Sequence, residues 1–183
     1  MFVVSGPSGV GKDTLIRRAL KALPDFERAI TATTRPRRPG ERAGVSYYFV
    51  SAAQFEGKKS KDELLEWATV HGYMYGTPKK SVDEIIAAGK NVILAVDVQG
   101  ALTIKKKMRE AVLIFVAPPS LEELERRLRR RKTEDKKEIT ARIEAAKKEI
   151  ELSSLYDYVM VNRDVSQATN ELLNVIKSQF HNC

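Results

Sequence analysis

The chain has 183 residues, of which 43% are hydrophobic and 31% charged, and one cysteine, Cys183. A globular domain has this composition, and a single cysteine excludes a scaffold held together by internal disulfides. No apolar run approaches the roughly 20 residues of a transmembrane helix. The formal net charge of +8 indicates an anionic partner, such as a nucleic acid, a membrane surface or a small phosphorylated ligand. Strand-like sequence begins at Phe2, so we expect no signal peptide and a cytoplasmic protein.

The first predicted element is a buried strand that starts at Phe2 and runs into a glycine-rich turn. Residues 6–12 fit the phosphate-binding pattern G-x-x-x-x-G-K-[ST] up to its last position. An amphipathic segment follows at 15–23. A strand, a tight loop and a helix N-terminus in this order direct backbone N–H groups and the positive end of a helix dipole at a phosphate. The predicted site comprises Gly6, Pro7, Ser8, Gly9, Val10, Gly11, Lys12, Asp13 and Thr14, with Lys12 reaching the outer phosphates.

Asp13 stands where the pattern has a serine or threonine, whose hydroxyl usually binds magnesium. A carboxylate can hold Mg²⁺ directly or through water, whereas without a metal it repels a triphosphate. We therefore predict Asp13 as a candidate ligand of Mg²⁺. The alternative is a surface turn before a helix, with Asp13 as a favourable acid in its first turn. The strand–loop–helix context favours the phosphate site.

Strand and helix patterns alternate along the rest of the chain, as in α/β proteins. Five buried-type strands joined by helices predict a parallel five-stranded sheet, with ligands beyond the carboxyl ends of its strands. The predicted strands after the first are 28–33, 45–50, 64–70, 73–76, 92–96, 111–116 and 158–161. The predicted helices follow Ser51 and cover 78–88, 98–108, 121–131, 136–154 and 165–180, with a charged break at 57–62.

These patterns predict one domain that has three parts. The core consists of residues 1–33, 77–125 and 155–183. Short strands interrupt the alternation at about 34–76 and predict an inserted β-rich lobe. The charged helices predict a mobile helical lid at about 126–154.

A stiff loop at 34–44 carries four arginines within eight residues, Arg35, Arg37, Arg38 and Arg42. Guanidinium groups bind phosphate through paired hydrogen bonds. A solvated basic surface or a nucleic-acid contact would use the same residues. The hydroxyl groups nearby can complete a phosphate shell, and they favour a small phosphorylated ligand; they belong to Thr31, Thr33, Thr34, Tyr47, Tyr48 and Tyr75.

Several ordered motifs together resemble the guanylate kinase family over nearly the whole chain. They are the loop at 6–12, Thr33-Thr34-Arg35 with Arg38 and Gly40-Glu41, Tyr47, Leu65-Glu66-Trp67-Ala68, Tyr75-Gly76-Thr77, Asp97-Val98-Gln99-Gly100, Ala117-Pro118-Pro119-Ser120 and Val161-Asn162. The resemblance implies a P-loop NTPase-type α/β fold with helices flanking the sheet. It also implies transfer of the γ-phosphoryl group of ATP to GMP in purine nucleotide metabolism, with Mg²⁺ as the cofactor.

The resemblance also implies roles for individual residues. The GMP phosphate would be held by Arg35, Arg38, Tyr47 and Tyr75, and the guanine would be surrounded by Thr31, Glu66 and Thr77. Glu66 can be argued from chemistry as well, because one carboxylate can accept hydrogen bonds from both the ring N1–H and the exocyclic amine of guanine. Adenine has an unprotonated ring nitrogen at the matching point. The alternative for Glu66 is an ordinary acidic residue on an exposed strand face. We expect the neighbouring Trp67 to pack in the core.

The charged helices carry the cations that a phosphoryl transfer needs. Charge spreads over the equatorial oxygens of the moving group, and a closing lid can supply arginines while it excludes water. The resemblance selects Arg127, Arg131 and Arg142 for this role, beside Lys12, Arg35 and Arg38. We interpret Arg126 and Arg129 as a solvated face balanced by glutamates.

Two polar residues follow predicted buried strands. Asp97, which we include in the GMP site, could orient a magnesium-bound water, steady Arg35 and Arg38, or cap the following helix. The resemblance places Asn162 at the adenine of ATP, and an ordinary turn asparagine is the alternative.

The chain departs from the family pattern at Asp13 and at Ala95, where the family usually has Asp or Glu. The loss of the acid at Ala95 removes one contact near the GMP, and neither departure removes an indispensable residue. Two other functions stay open. A non-catalytic module of this fold binds phosphorylated peptides, but such modules have degraded phosphate loops. A related kinase of a sugar phosphate would have no use for a base-reading Glu66.

Direct nucleic-acid binding is the weakest interpretation of the net charge, because the positive residues fall around two phosphate sites rather than along one stripe. We expect ATP and GMP as ligands, no nucleic-acid or membrane partner, and a monomer or homodimer.

Overall fold

A computed structural model describes residues 1–130 and 136–180 of the chain. The strands in these residues are β1 (Phe2–Ser5), β2 (Phe26–Arg28), β3 (Ala32–Thr33), β4 (Tyr48–Phe49), β5 (Leu64–Val70), β6 (Tyr73–Pro78), β7 (Asn91–Ala95), β8 (Val112–Ala117) and β9 (Tyr158–Val161). The helices are α1 (Lys12–Ala19), α2 (Ala52–Ser60), α3 (Lys79–Ala87), α4 (Val98–Lys107), α5 (Leu121–Arg130), α6 (Lys136–Glu151) and α7 (Val165–Ser178). No helix of the described residues is long and apolar enough to cross a membrane.

The central sheet has five strands in the order β2-β7-β1-β8-β9, and every pair in it is parallel. Successive residues of β1 point to opposite faces. Phe2 and Val4 pack with α1 and α7 on one face, whereas Val3 packs with α3 and α4 on the other. All four residues of β1 are buried. The predicted parallel five-stranded sheet is confirmed, and its carboxyl ends form one edge of the molecule.

A second sheet has the order β4-β3-β6-β5, with β5 and β6 forming an antiparallel hairpin. The strand predicted at 28–33 is in fact two strands, because β2 ends at Arg28 in the central sheet and β3 begins at Ala32 in the second sheet. The strand predicted at 45–50 is reduced to β4. The chain coming into β4 turns instead, with Ser46 N–H donating to the carbonyl of Arg42 at 2.8 Å.

Two further local predictions need correction. The charged break predicted at 57–62 begins too early, because α2 continues through Gly57 to Ser60. A capping box between Ser51 and Gln54 starts that helix. The Ser51 hydroxyl accepts from the Gln54 backbone N–H, and the Gln54 side-chain carbonyl accepts from the Ser51 backbone N–H. Trp67 is not in the core: its side chain is 44% exposed, with the Lys59 ammonium 4.0 Å from its ring centroid. Alternation along β5 buries Glu66 instead.

Helices α5 and α6 pack on each other through a small apolar cluster of their own, which contains Leu124, Leu128, Ile139 and Ala146. The Ser120 hydroxyl accepts a hydrogen bond from Glu123 N–H at 3.2 Å and so caps the start of α5. Arg126 and Arg129 pair with Glu123 and Glu125, as predicted for a solvated face. Arg131 lies outside the described residues.

Candidate active site

A cavity of about 450 Å³ opens at the carboxyl ends of β1 and β7 and reaches to the second sheet. The segments that line it include the loop after β1, the arginine loop after β3, the hairpin of β5 and β6, the residues between β7 and α4, and helix α6. The structure thus brings together residues that the sequence separates by more than a hundred positions. The predicted site residues that line the cavity are Gly6, Ser8, Gly9, Gly11, Lys12, Asp13, Thr14, Thr31, Arg35, Arg38, Tyr47, Glu66, Tyr75, Asp97 and Arg142.

The loop between β1 and α1 is built for close approach to an anion. Gly6 has a φ of +135°, and a Cβ there would lie 2.2 Å from the carbonyl oxygen of Val116. No residue with a side chain fits this place. Lys12 folds back over the loop, where its ammonium group donates to the carbonyls of Gly6 and Pro7. The N-cap of α1 is Gly11, so no side chain occupies the N–H groups of the first turn.

Asn162 and Arg127 support this loop from outside the cavity. The Asn162 amide donates to the carbonyl of Val10 at 2.7 Å, and Arg127 donates to the carbonyl of Asn162 at 2.9 Å. The Asn162 side chain is buried, and its Oδ1 has no hydrogen-bond partner among the described residues. Pro7 and Val10 form the back of the same loop, and none of these residues is among those that line the cavity.

Helix α6 presents two charged side chains to the cavity. Arg142 donates to the hydroxyl of Ser8 at 2.8 Å. Glu149 follows seven residues later, which is about two helical turns along the same face, and it also lines the cavity. Burial raises the pKa of Glu149, with the charge of Lys12 opposing this shift and that of Asp97 reinforcing it. The sequence reasoning missed Glu149, although its spacing from Arg142 marks both residues as one face.

The arginine loop is held in shape by one carboxylate. Glu41 accepts from the Arg35 guanidinium at 2.6 Å and from the Arg38 backbone N–H at 2.7 Å. Arg35 is only 6% exposed, its Nε donates to the Tyr75 hydroxyl at 3.2 Å, and its guanidinium carbon is 5.5 Å from the Tyr47 ring centroid. Burial also raises the pKa of Tyr47 above its usual range, so this hydroxyl keeps its proton and can donate.

Glu66 is a buried carboxylate, 2% exposed, at the far end of the cavity. Its Oε1 accepts a hydrogen bond of 2.6 Å from Thr77, which lies behind it and does not line the cavity. A Cβ at position 100 would lie 2.5 Å from Oε2, so Gly100 leaves the room that Glu66 needs. Burial raises the pKa of Glu66 to about 7. The hydrogen bond from Thr77 lowers this pKa, and the charge of Asp97 raises it further. Thr31 lies in the same cavity, and its buried hydroxyl has no partner among the described residues.

Asp97 caps α4 and lines the cavity at once. Its Oδ1 accepts from the Gly100 N–H at 2.9 Å, as the helix-cap interpretation predicts. Burial raises the pKa of Asp97, and the nearby charge of Lys12 counteracts part of that shift.

Asp13 lines the cavity from the first turn of α1, and its carboxylate has a charged partner. Its Oδ1 lies 2.6 Å from Nη2 of Arg28, the last residue of β2. Arg28 was not among the predicted site residues, because nothing in the sequence links the end of one strand to the start of α1.

Comparison with known proteins places this geometry in a family. The guanylate kinase family model matches residues 1–179. The chain belongs to the guanylate kinase family. Curated guanylate kinases from Desulfitobacterium hafniense and Myxococcus xanthus are 43% and 47% identical over 98% of this chain, and the matches cover 90% and 86% of those proteins.

The crystal structure of guanylate kinase from Anaplasma phagocytophilum matches 98% of this chain and 85% of its own, with a TM-score of 0.82 and 33% identity. The family resemblance and the P-loop NTPase-type fold inferred from the motifs are therefore confirmed. A shikimate kinase from Bacteroides thetaiotaomicron reaches a TM-score of 0.53 at 14% identity, which reflects the fold alone.

Proposed function

We propose that this guanylate kinase family member transfers the γ-phosphoryl group of ATP to GMP, giving ADP and GDP. The observation that carries the proposal is that the glycine-rich loop with Lys12 and the Arg35 loop with Glu66 line one cavity. One phosphoryl group can pass between two anion sites only when both open onto the same space. A non-catalytic phosphopeptide-binding module is not favoured, because the loop at 6–12 is intact.

The donor site binds the phosphates of ATP. Backbone N–H groups of the loop after β1 and the dipole of α1 hold them, and Lys12 moves from the loop carbonyls to the outer phosphates. We assign Asn162 to the adenine end of this site from the family resemblance alone, since in the structure it supports the donor loop from outside the cavity through its bond to the Val10 carbonyl.

The acceptor site binds GMP in the lobe of about 34–76. Arg35, Arg38, Tyr47 and Tyr75 hold its phosphate, and Glu41 holds the two arginines in place beforehand, which lowers the entropy lost on binding. Glu66 and Thr31 face the guanine from the cavity wall, and Thr77, which lies behind Glu66, orients its carboxylate.

Ionised Glu66 accepts from N1–H and the exocyclic amine of guanine. Adenine would set an acceptor against this carboxylate, and such a mismatch at a buried polar site discriminates strongly. Asp97 lines the cavity on the same side as Glu66, and it caps the start of α4 there.

The cations around the moving phosphoryl group are Lys12, Arg35, Arg38 and Arg142, which line the cavity. Arg127, which lies outside the cavity, and Arg131 would join them only when the lid closes. The bond from Arg142 to Ser8 supports this role because it joins α6 to the donor loop. The segment of about 126–154 acts as a lid on the core of 1–33, 77–125 and 155–183, and its closure excludes water that would otherwise hydrolyse ATP.

Mg²⁺ would enter with ATP. No group of three or more metal-ligating acids, histidines or cysteines occurs in the described residues. That fits Mg²⁺, which keeps several waters and is held largely by nucleotide phosphates. Asp13 would contribute through water, since its Oδ1 already faces Arg28. When bound, Mg²⁺ would supply positive charge beside the phosphates.

Placement of the positive charge around two phosphate pockets supports small nucleotides as partners rather than nucleic acid or a membrane. We further propose a cytoplasmic protein that acts as a monomer or homodimer.

The experiment that tests the function offers ATP and Mg²⁺ with GMP, AMP, UMP or ribose 5-phosphate in parallel and measures ADP release. We expect turnover with GMP and at least about a hundredfold lower kcat/KM with the other acceptors. Equal turnover of AMP, or no turnover of GMP, would contradict the proposal.

A further inference from the structure

We propose that Arg28 is a positioning residue that neutralises Asp13, so that the donor loop accepts a triphosphate although a carboxylate follows Lys12. The inference rests on the proposed function, because it concerns the ATP site of that reaction. It assigns a role to a residue at the end of β2 that lies outside the phosphate-binding pattern.

The carboxylate of Asp13 poses an electrostatic problem. Asp13 lies in the first turn of α1 and lines the cavity beside Gly11 and Thr14. The phosphates of ATP carry several negative charges, and like charges a few ångströms apart repel each other most strongly where water is excluded. An unneutralised acid at this place would therefore weaken the attraction that Lys12 and the backbone N–H groups provide.

The contact with Arg28 supplies the missing positive charge. Nη2 of Arg28 lies 2.6 Å from Oδ1 of Asp13, and the Arg28 side chain is only 14% exposed. Such a half-buried charge is screened by salt less than one on the open surface. Asp13 is the only ion-pair partner of Arg28 in the described residues.

The contact is a close ion pair, since Nη2 of Arg28 and Oδ1 of Asp13 lie 2.6 Å apart. Nε and Nη2 of Arg28 are both buried and make no aligned hydrogen bond to a described residue. The Asp13 side chain stays 59% exposed, so its second oxygen remains accessible from the cavity.

The pair also stands between the donor and acceptor sides. Asp13 and Arg28 both act on the pKa of the Tyr47 phenol, the acid raising it and the arginine lowering it. Tyr47 in turn lies against the Arg35 guanidinium. Arg28 therefore opposes the charge of Asp13 at Tyr47, a residue of the proposed acceptor site, where an isolated acid would act alone.

A double-mutant cycle tests this inference. The variants are Arg28→Leu, Asp13→Ser and the double variant, each measured for KM of ATP, for kcat at saturating GMP and for the Kd of ATP with Mg²⁺ in the absence of GMP. We expect Arg28→Leu to raise KM and Kd for ATP about tenfold, with a smaller change in kcat. Asp13→Ser removes the charge but keeps an oxygen, and it should lower both constants about twofold. The double variant should recover most of the affinity that Arg28→Leu loses.

Two controls separate charge from folding. Lys90→Leu breaks an exposed ion pair, 2.8 Å long, between Lys90 and Glu27. Glu27 lies on β2 next to Arg28, and this variant should leave the affinity for ATP unchanged. Arg28→Lys keeps the positive charge, so it should bind ATP within about threefold of the original protein even if Arg28→Leu folds poorly.

An Arg28→Leu defect that persists in the double variant, or a folded Arg28→Leu variant that binds ATP normally, would overturn the inference. A loss of affinity in Arg28→Lys equal to that in Arg28→Leu would overturn it too. Failure of the original protein to phosphorylate GMP would instead count against the proposed function, while the Kd values for ATP would still decide the role of Arg28.

Discussion

The proposed donor loop and acceptor pocket offer two different kinds of site to similar anions. The loop at 6–12 presents backbone N–H groups between β1 and α1, and its glycines keep side chains out of the way. The acceptor pocket is made of side chains from the arginine loop, the β5–β6 hairpin and the start of α4, with buried Arg35 and Glu66 as its charged members. One site is a local feature of the backbone, and the other is an assembly of distant residues.

The difference teaches where each site is vulnerable. Backbone donors have no pKa in the physiological range and cannot be removed by a single side-chain substitution, so the donor loop depends on Lys12 for its one titratable contribution. Every specific contact in the acceptor pocket comes from a side chain that must be buried, oriented and correctly protonated. Substitutions and pH should therefore separate the two sites.

The largest effect is expected at Lys12. Lys12→Ala removes the cation that stabilises the transferred phosphoryl group, and kcat should fall at least a thousandfold. The melting temperature should change little, because the Lys12 ammonium donates to the carbonyls of Gly6 and Pro7 within its own loop and does not join two elements through these bonds. A coupled assay for ADP measures the rate, and turnover close to that of the original protein would contradict the role of Lys12.

Glu66→Gln should lower kcat/KM for GMP about a hundredfold, because an amide cannot accept both guanine donors. Selection against AMP should weaken at the same time, and KM for ATP should stay within about twofold. Glu63→Gln is the matched control: Glu63 precedes β5 and forms an exposed pair with Lys58 at 3.3 Å. An unchanged preference for GMP over AMP in Glu66→Gln would remove Glu66 from the base pocket.

Glu41→Gln tests whether the arginine loop is preorganised. The substitution weakens the charged contact with Arg35 and the acceptor for Arg38 N–H, so KM for GMP should rise roughly ten- to thirtyfold. Glu56→Gln is a control on α2, where Glu56 makes an exposed pair with Lys59. If Glu41→Gln raised KM for ATP as much as KM for GMP, its effect would lie outside the acceptor site.

The pH dependence should distinguish the two sites without any substitution. The pKa of Glu66 is raised by burial to about 7, and only its ionised form accepts both guanine donors. The ionised fraction falls about tenfold per pH unit below that pKa, so KM for GMP should rise as pH falls below 7. KM for ATP, measured at the same pH values, should not follow this curve, and Glu66→Gln should abolish the dependence.

The same contrast decides what sequence reasoning can predict. The donor loop lies in one stretch of chain, and its strand–loop–helix context identifies it without any structure. The arginine loop and Glu66 were found through motifs. The role of Glu41, which holds both arginines, could not be predicted because it depends on a turn geometry that the sequence does not reveal. Arg28 was missed because it contacts Asp13 from a different element, the end of β2, and Glu149 was missed because it reaches the cavity from α6, far along the chain from the phosphate loop.

Errors in the secondary structure have similar causes. The break between β2 and β3 is set by pairing with two different sheets, not by any local signal at 29–31. Trp67 was expected in the core, whereas the inner face of β5 carries Leu64, Glu66 and Ala68, and Trp67 falls on the other face. In this hairpin the strand's alternation, rather than the size of one aromatic side chain, determines which residues are buried.

The smallest effect is expected at Glu149, and it tests which nucleotide the lid helix faces. The Glu149 carboxylate lies near the charges of Lys12 and Asp97, so we expect it to repel the phosphates that Lys12 binds. Glu149→Gln should then lower KM for ATP about two- to threefold and leave KM for GMP unchanged. Glu144→Gln serves as the control, since Glu144 lies on the same helix and pairs with Lys147 on its exposed side at 2.7 Å.

A rise in KM for ATP in Glu149→Gln would contradict this expectation, because it would mean that the carboxylate attracts the metal-bound nucleotide rather than repelling its phosphates. A change confined to KM for GMP would assign Glu149 to the acceptor side instead. In either case α6 would contribute to the cavity through both of its inward charges, Arg142 and Glu149, and the lid would take part in choosing ligands as well as in excluding water.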